Sequence, residues 1–287
     1  MNDLQIKEFS YHIGWRTRGS HAGRHASTQR GVGMEFSGHT TLLSYPDPRR
    51  IDIRQTIRDP LEQVYVRIFN QKSATPIFMI NDLSGSMNFG SKHRKVALSA
   101  QIMKSVAMSA THNSDSFGYI GFDDVVREDW HCNPSYRAHY ALEMAEKLTE
   151  YHPEHVGSKG LADVTRYLPR ERSLIFLVSD FHMPLEELES ALSMMLRHHI
   201  VPVVLWDSTE YKNLPDFGIA SLSDCETGAR RTLLLRKPLR DRIVQNFEER
   251  RQAIHSLFMR FDMPPFFVEN EFDADSLTEY FHQFVAT

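Results

Sequence analysis

Asp82, Ser84 and Ser86 place one carboxylate and two hydroxyls within five residues, immediately after the apolar run IFMIN. A second carboxylate, Asp180, follows a second apolar run, IFLVS. Carboxylate and hydroxyl oxygens are hard donors and suit a divalent cation: Mg²⁺, Mn²⁺ or Ca²⁺. Mg²⁺ prefers near-octahedral oxygen ligands and keeps several waters, so one position stays open for an incoming carboxylate. The same five-residue string also suits an ordinary strand-to-helix turn, because Asp, Ser and Gly tolerate turn geometry and cap free helix N–H groups.

These carboxylates need elements that bring them together. From Thr75 onward, short apolar runs alternate with amphipathic segments, the signature of βαβ units and a mainly parallel sheet. Strands are predicted at PIFMIN, FGYIGF, SLIFLVS and IVPVVLW. Val96, Ala100, Met103, Ala107 and Ala110 recur at helical spacing, as do Ala141, Met144, Ala145 and Leu148, and Leu188, Leu192, Met195 and Leu196. Ligands of open α/β sheets sit beyond the carboxyl ends of the strands, where Asp82 and Asp180 both fall. A two-strand hairpin, a long helix with Ile243, Phe247, Ile254, Leu257 and Phe258 inward, a strand at PFFVEN and a short helix complete the chain.

Residues 1–74 read as a separate arm, and residues 75–287 as the α/β domain. The first 60 residues carry nine Lys and Arg against six Asp and Glu. The stretch 18–33 has no apolar period and many turn residues, so a loop is expected there, with short strands near 34–36 and 40–45 and another at 65–71.

Several chemistries are disfavoured. A formal net charge of -4 gives no global basic field for nucleic acid, and the basic cluster 230–242 has no aromatics on which bases would stack. Cys132 and Cys225 make no disulfide framework and read as isolated thiols. No segment has signal-peptide or membrane-helix character, so a cytoplasmic chain without membrane insertion is expected. GSMNFGSK imitates a phosphate-binding loop, but Ser91 precedes Lys92, the reverse of what that loop requires. Neither Ser84 nor Ser86 lies in Gly-x-Ser-x-Gly. His12, His21, His25, His39, His152 and His155 form no metal-binding pattern. His198 and His199 are expected at a helix C-terminus, where the dipole favours imidazolium. Asp123 and Asp124 read as a hairpin tip. No enzyme is expected; the alternative is a Mg²⁺-dependent phosphohydrolase or nucleotide-binding protein using Asp82 and Lys92.

Asp82-x-Ser84-x-Ser86 resembles the metal-ion-dependent adhesion site of von Willebrand factor A domains. GMEF, YPDPRRIDIR, GSKHRKVALSAQI, DSFGYIGFDD and LIFLVSDF occur in the order found in the bacterial family called domain of unknown function fifty-eight, and the resemblance runs from about Gly31 to the C-terminus. It implies a von Willebrand factor A-like α/β fold and a protein-binding adaptor. Its partners would be a MoxR-type AAA+ ATPase and a client enzyme undergoing assembly. The chain is similar in particular to accessory proteins of methanol-oxidation gene clusters, which makes methanol dehydrogenase the implied client.

The resemblance implies metal ligation by Asp82, Ser84, Ser86 and Asp180, completed by an acidic residue of the partner. At the middle loop, where a threonine is usual, VGSKGLADV offers Ser158 as the nearest hydroxyl or Lys159 as the aligned residue; a lysine there would compete with the metal or replace its charge. Arg49, Arg50 and Asp52 match the family in the arm, as packing or a docking edge for a partner, while Ile53 stands where the family has tryptophan.

Overall fold

The chain divides near Thr75: residues Ile13–Thr75 form one unit, and residues through His12 join everything from Pro76 onward in the other. The computed structural model describes residues 6–15, 17, 22–153, 157–211, 217–223 and 230–284.

In the smaller unit, strand β1 (Ala22–Thr41) pairs antiparallel with β2 (Tyr65–Ser73), and helix α1 (Ile53–Arg58) lies between them in sequence. The loop expected over residues 18–33 is therefore strand from Ala22 on. An antiparallel ladder needs backbone donors and acceptors, not an apolar period, and the register slips between Ala22 and His25, Ala26 and Arg30, Arg30 and Glu35, and Phe36 and Gly38. Those irregularities let a 20-residue strand follow a 9-residue partner. The short strand expected near 34–36 is part of β1, whereas 40–45 turns away after Thr41.

Asp52 caps α1, accepting from Arg54 N at 3.1 Å and Gln55 N at 3.2 Å. Its other oxygen meets Arg67 Nε at 2.7 Å and His39 Nε2 at 3.0 Å. Arg67 first, then His39, holds the carboxyl well below the usual carboxylate range.

The larger unit runs β3 (Pro76–Asp82), α2 (Lys95–His112), β4 (Ser116–Phe122), β5 (Val126–Ser135), α3 (His139–Glu150), β6 (Leu174–Ser179), α4 (Leu185–Met194), β7 (His199–Trp206), the hairpin β8 (Phe217–Ser223) and β9 (Arg230–Arg236), α5 (Lys237–Arg260), β10 (Phe266–Glu269) and α6 (Ala274–Phe284). The hairpin turn and Cys225 lie outside the described residues.

Six strands form one sheet in the order β10-β7-β6-β3-β4-β5, parallel except for β5 at the edge. β3, β4, β6 and β7 are buried nearly end to end, which is why their sequences read as continuous apolar runs. One face packs Ile80, Ile120, Leu177 and Trp206 with Leu188 and Leu192 of α4 and Ile254 and Phe258 of α5. On the other face, Asn81 of β3 donates to Ser99 Oγ of α2 at 3.2 Å, and Phe176 of β6 meets Phe281 of α6 edge-on. The N-terminal segment joins that side: Phe9 N donates to Ser109 Oγ, and its ring stacks on Phe281.

This is the α/β class the sequence predicts, a mainly parallel sheet flanked by helices. Val96, Ala100, Met103, Ala107 and Ala110 are all fully buried on α2, as their spacing predicts. Leu196 departs from its predicted helix: α4 ends at Met194, and Leu196 beyond it is 57 % exposed.

Candidate functional site

Strand order explains where the chemistry collects. The chain leaves β3 toward β4 on one side and β6 toward β7 on the other, so the carboxyl ends of β3 and β6 flank the point where the winding reverses. Parallel pairing through Asn81 and Val178 brings Asp82 beside Ser179. Asp82, Ser84, Ser86, Ser158 and Asp180 line one cleft with Gly157, His182 and Met183.

Each group there is held. Asp82 is 1 % exposed; its Oδ1 accepts from Ser84 N at 2.8 Å and its Oδ2 from Ser179 Oγ at 2.6 Å. Ser84 and Ser86 hydroxyl oxygens are 3.1 Å apart. Asp180 is equally buried, accepting from His182 N at 3.3 Å through Oδ1 and from Lys95 Nζ at 3.0 Å through Oδ2. Its carbonyl takes the indole N–H of Trp206 at 2.9 Å.

The backbone after Asp180 is contorted. Phe181 has φ of 52°, a conformation a bulky side chain adopts only under constraint. Its N–H donates to Ser179 Oγ at 2.9 Å, and Arg250 of α5 donates to its carbonyl at 2.5 Å.

The middle loop presents Ser158, and Lys159 is exposed toward a neighbouring groove beside Leu161 and Glu187. Asp123 and Asp124 do shape the hairpin tip, and they also brace this loop. Asp123 O accepts from Gly160 N at 2.9 Å, and Gly157, at φ of +99°, sits so close that a Cβ would fall 2.0 Å from Asp124 Oδ1.

A lysine does supply charge to the cleft, but it is Lys95. It opens α2, is 1 % exposed, and donates to Asp180 and, at 2.7 Å, to Glu210 Oε1. Its signal in the sequence was its spacing: Lys95, Ser99, Ile102 and Val106 share the buried stripe of α2, and a lysine on such a stripe demands a carboxylate partner. Ser179, Glu210 and Arg250 gave no comparable signal.

Burial, then the neighbouring Asp180 charge, pushes Asp82 up to about 7. Burial acts on Asp180 in the same sense, but the Lys95 ammonium, then His182 and the Ser86 hydroxyl, outweigh it and hold that carboxyl below the usual range. Of the two carboxyls, Asp82 is thus the one whose protonation the metal-free fold favours. The donor set is all hard oxygen, and the edge of a Mg²⁺ octahedron with 2.1 Å bonds is about 3.0 Å, close to the Ser84–Ser86 separation. These residues fit such a cation. Among the described residues, no group of three His, Cys, Asp or Glu side chains is placed to hold a metal.

Other residues singled out in the sequence lie elsewhere. Lys92 is exposed and ion-paired with Glu271, and Ser91 donates to Asp207. His39 serves Asp52 and His152 meets Arg94; His21 and His155 are outside the described residues. His198 and His199 are not favoured as imidazolium: burial first, then nearby arginine charge, lowers both to about 4. In the smaller unit Arg49 is exposed, Arg50 pairs with Asp47 at 3.2 Å, and Asp52 is spent on the cap and Arg67. Beside them Ile53, Ile57 and Leu61 are 67 %, 77 % and 74 % exposed.

Among curated proteins, the chain is 34 % identical over 98 residues to the uncharacterized protein in the moxR 3' region of Paracoccus denitrificans, a match spanning 34 % of this chain and 93 % of that protein. Among solved structures, the conserved hypothetical protein BatB from Bacteroides thetaiotaomicron matches at 11 % identity over 75 % of this chain and 100 % of its own, with a TM-score of 0.46. The von Willebrand factor type A protein from Catenulispora acidiphila matches at 12 % identity over 100 % of this chain and 51 % of its own, with a TM-score of 0.40. Among the described residues, no helix is long and apolar enough to cross a membrane. A family model matches residues 46–253, and the chain belongs to that family, described as Protein of unknown function DUF58.

Proposed function

We propose that this protein is a non-enzymatic adaptor that captures an acidic side chain of a partner through a divalent cation, and that it works with a MoxR-type AAA+ ATPase during maturation of another enzyme. The observation carrying this reading is the cleft itself: two buried carboxylates and three serine hydroxyls converge at the sheet's switch point. Ser84, Ser86 and Ser158 would hold Mg²⁺ or a similar cation, with Asp82 and Asp180 direct or through water. When bound, the cation offers a coordination position to a partner carboxylate.

The association with a MoxR-type ATPase is supported by the Paracoccus relative, named for its place beside moxR. Methanol dehydrogenase as client rests on family resemblance. A second contact is supported by Ile53 and Ile57, two exposed apolar side chains one turn apart on α1. The phosphohydrolase or nucleotide alternative needs Lys92 at the cleft, and Lys92 is engaged with Glu271.

The test is affinity capture from the source cells with Mg²⁺ or EDTA, using wild type and Asp82→Ala, with retained proteins identified by mass spectrometry. An AAA+ ATPase or an apo-enzyme held by wild type in Mg²⁺, and lost in EDTA or in the variant, is the expected result. Retention unchanged in every arm would sink the cation-dependent reading.

A further inference from the structure

Behind the cleft, two carboxylates hold one ammonium, and a third stands beside one of them. Lys95 Nζ lies 3.0 Å from Asp180 Oδ2 and 2.7 Å from Glu210 Oε1, and Asp82 stands next to Asp180. Fully ionised, Asp82, Asp180 and Glu210 exceed the ammonium by two negative charges, the charge of one divalent cation. The ammonium also joins separate segments. Glu210 Oε2 accepts from Asp207 N at 3.2 Å, and Asp207 accepts from Ser91 N at 2.7 Å. The end of β6, the turn after β7 and the loop entering α2 thus meet through Lys95. A buried ion pair that loses one partner leaves an uncompensated charge, so these segments depend on a cation being present.

We propose that Lys95 is a resident cation of the cleft. It brings to Asp180 part of the positive charge a divalent ion would bring, keeps the loops assembled without that ion, and makes divalent binding weaker than the oxygen donors alone would. This inference rests on the cation-binding reading above.

The test compares wild type, Lys95→Met and the charge-retaining Lys95→Arg by thermal melting with and without Mg²⁺, and by Mn²⁺ titration followed by electron paramagnetic resonance. Lys95→Met is expected to melt lower than wild type without divalent ion, to regain most of that loss in saturating Mg²⁺, and to bind Mn²⁺ about tenfold tighter or more, since a like charge has left a poorly screened site. Lys95→Arg should follow wild type.

If wild type binds Mn²⁺ and Lys95→Met binds it no tighter, the inference falls and the cation-binding reading stands. If neither binds Mn²⁺, both fall. Should Lys95→Met not fold, a crystal structure of the wild type with Mn²⁺ decides: Nζ withdrawn from Asp180 and kept on Glu210 supports the proposal, and an unchanged 3.0 Å contact to Asp180 beside bound Mn²⁺ overturns it.

Discussion

Ser179 Oγ donates to Asp82 Oδ2 at 2.6 Å, so the residue preceding one cleft carboxylate clamps the other. The same oxygen accepts from Phe181 N at 2.9 Å, fixing the turn that carries Asp180. Ser179→Ala removes both bonds from a fully buried position. A loss of about 1–3 kcal/mol is expected, the usual cost of stranding buried polar groups, and urea denaturation measures it. A loss below a few tenths would show that the clamp contributes little.

Asp82 makes stability and cation binding depend on pH in opposite ways. Its carboxyl is raised to about 7 in the metal-free fold. Between the ordinary carboxylate range near pH 4 and about pH 7, the folded protein therefore keeps a proton that the unfolded chain has released. Stability contributed by that proton falls as pH rises through this window. Asp180 has the opposite sign: its contribution is present above the ordinary carboxylate range and is lost as pH falls toward its depressed value. A cation must displace the Asp82 proton, so Mn²⁺ affinity should rise about tenfold per pH unit up to about pH 7 and then level. Asp82→Asn should flatten this profile in a titration series.

Gly157→Ala tests the bracing of the middle loop. A methyl there meets Asp124 Oδ1 at 2.0 Å, on a backbone at φ of +99°. Destabilisation of about 1–3 kcal/mol and weaker Mn²⁺ binding are expected. Trimming Asp124 to glycine in the same chain should restore part of the stability by removing the clash while the φ strain stays. No recovery in the double variant would place the whole effect in the backbone.

Ile53→Ser with Ile57→Ser probes the exposed pair on α1. Neither side chain is buried, so stability should change by no more than about 0.5 kcal/mol. Capture of the AAA+ ATPase should fall. Normal capture by a stably folded double variant would exclude α1 as a docking surface.

Much of the fold was legible because buried parallel strands and one-faced helices leave strong patterns. Ile77–Ile80 and Leu174–Val178 announced strands, and Val96 through Ala110 announced a buried helix face. β1 was not legible: its ladder is built from backbone groups and irregular register, with no side-chain period to betray it. His198 and His199 were misread for a related reason, since the helix dipole is a local property and burial is not.

By itself the sequence determined that Asp82, Ser84 and Ser86 would stand at a strand's carboxyl end, and that Asp180 would stand at another, because apolar run length and turn chemistry are local. Only the tertiary structure decided that β3 and β6 are neighbours, that Ser158 and not Lys159 faces the cleft, and that the ammonium beside Asp180 belongs to Lys95. Those contacts join residues far apart in the chain. They arise from the order in which strands pair and the faces on which helices pack, and neither is written in any single segment.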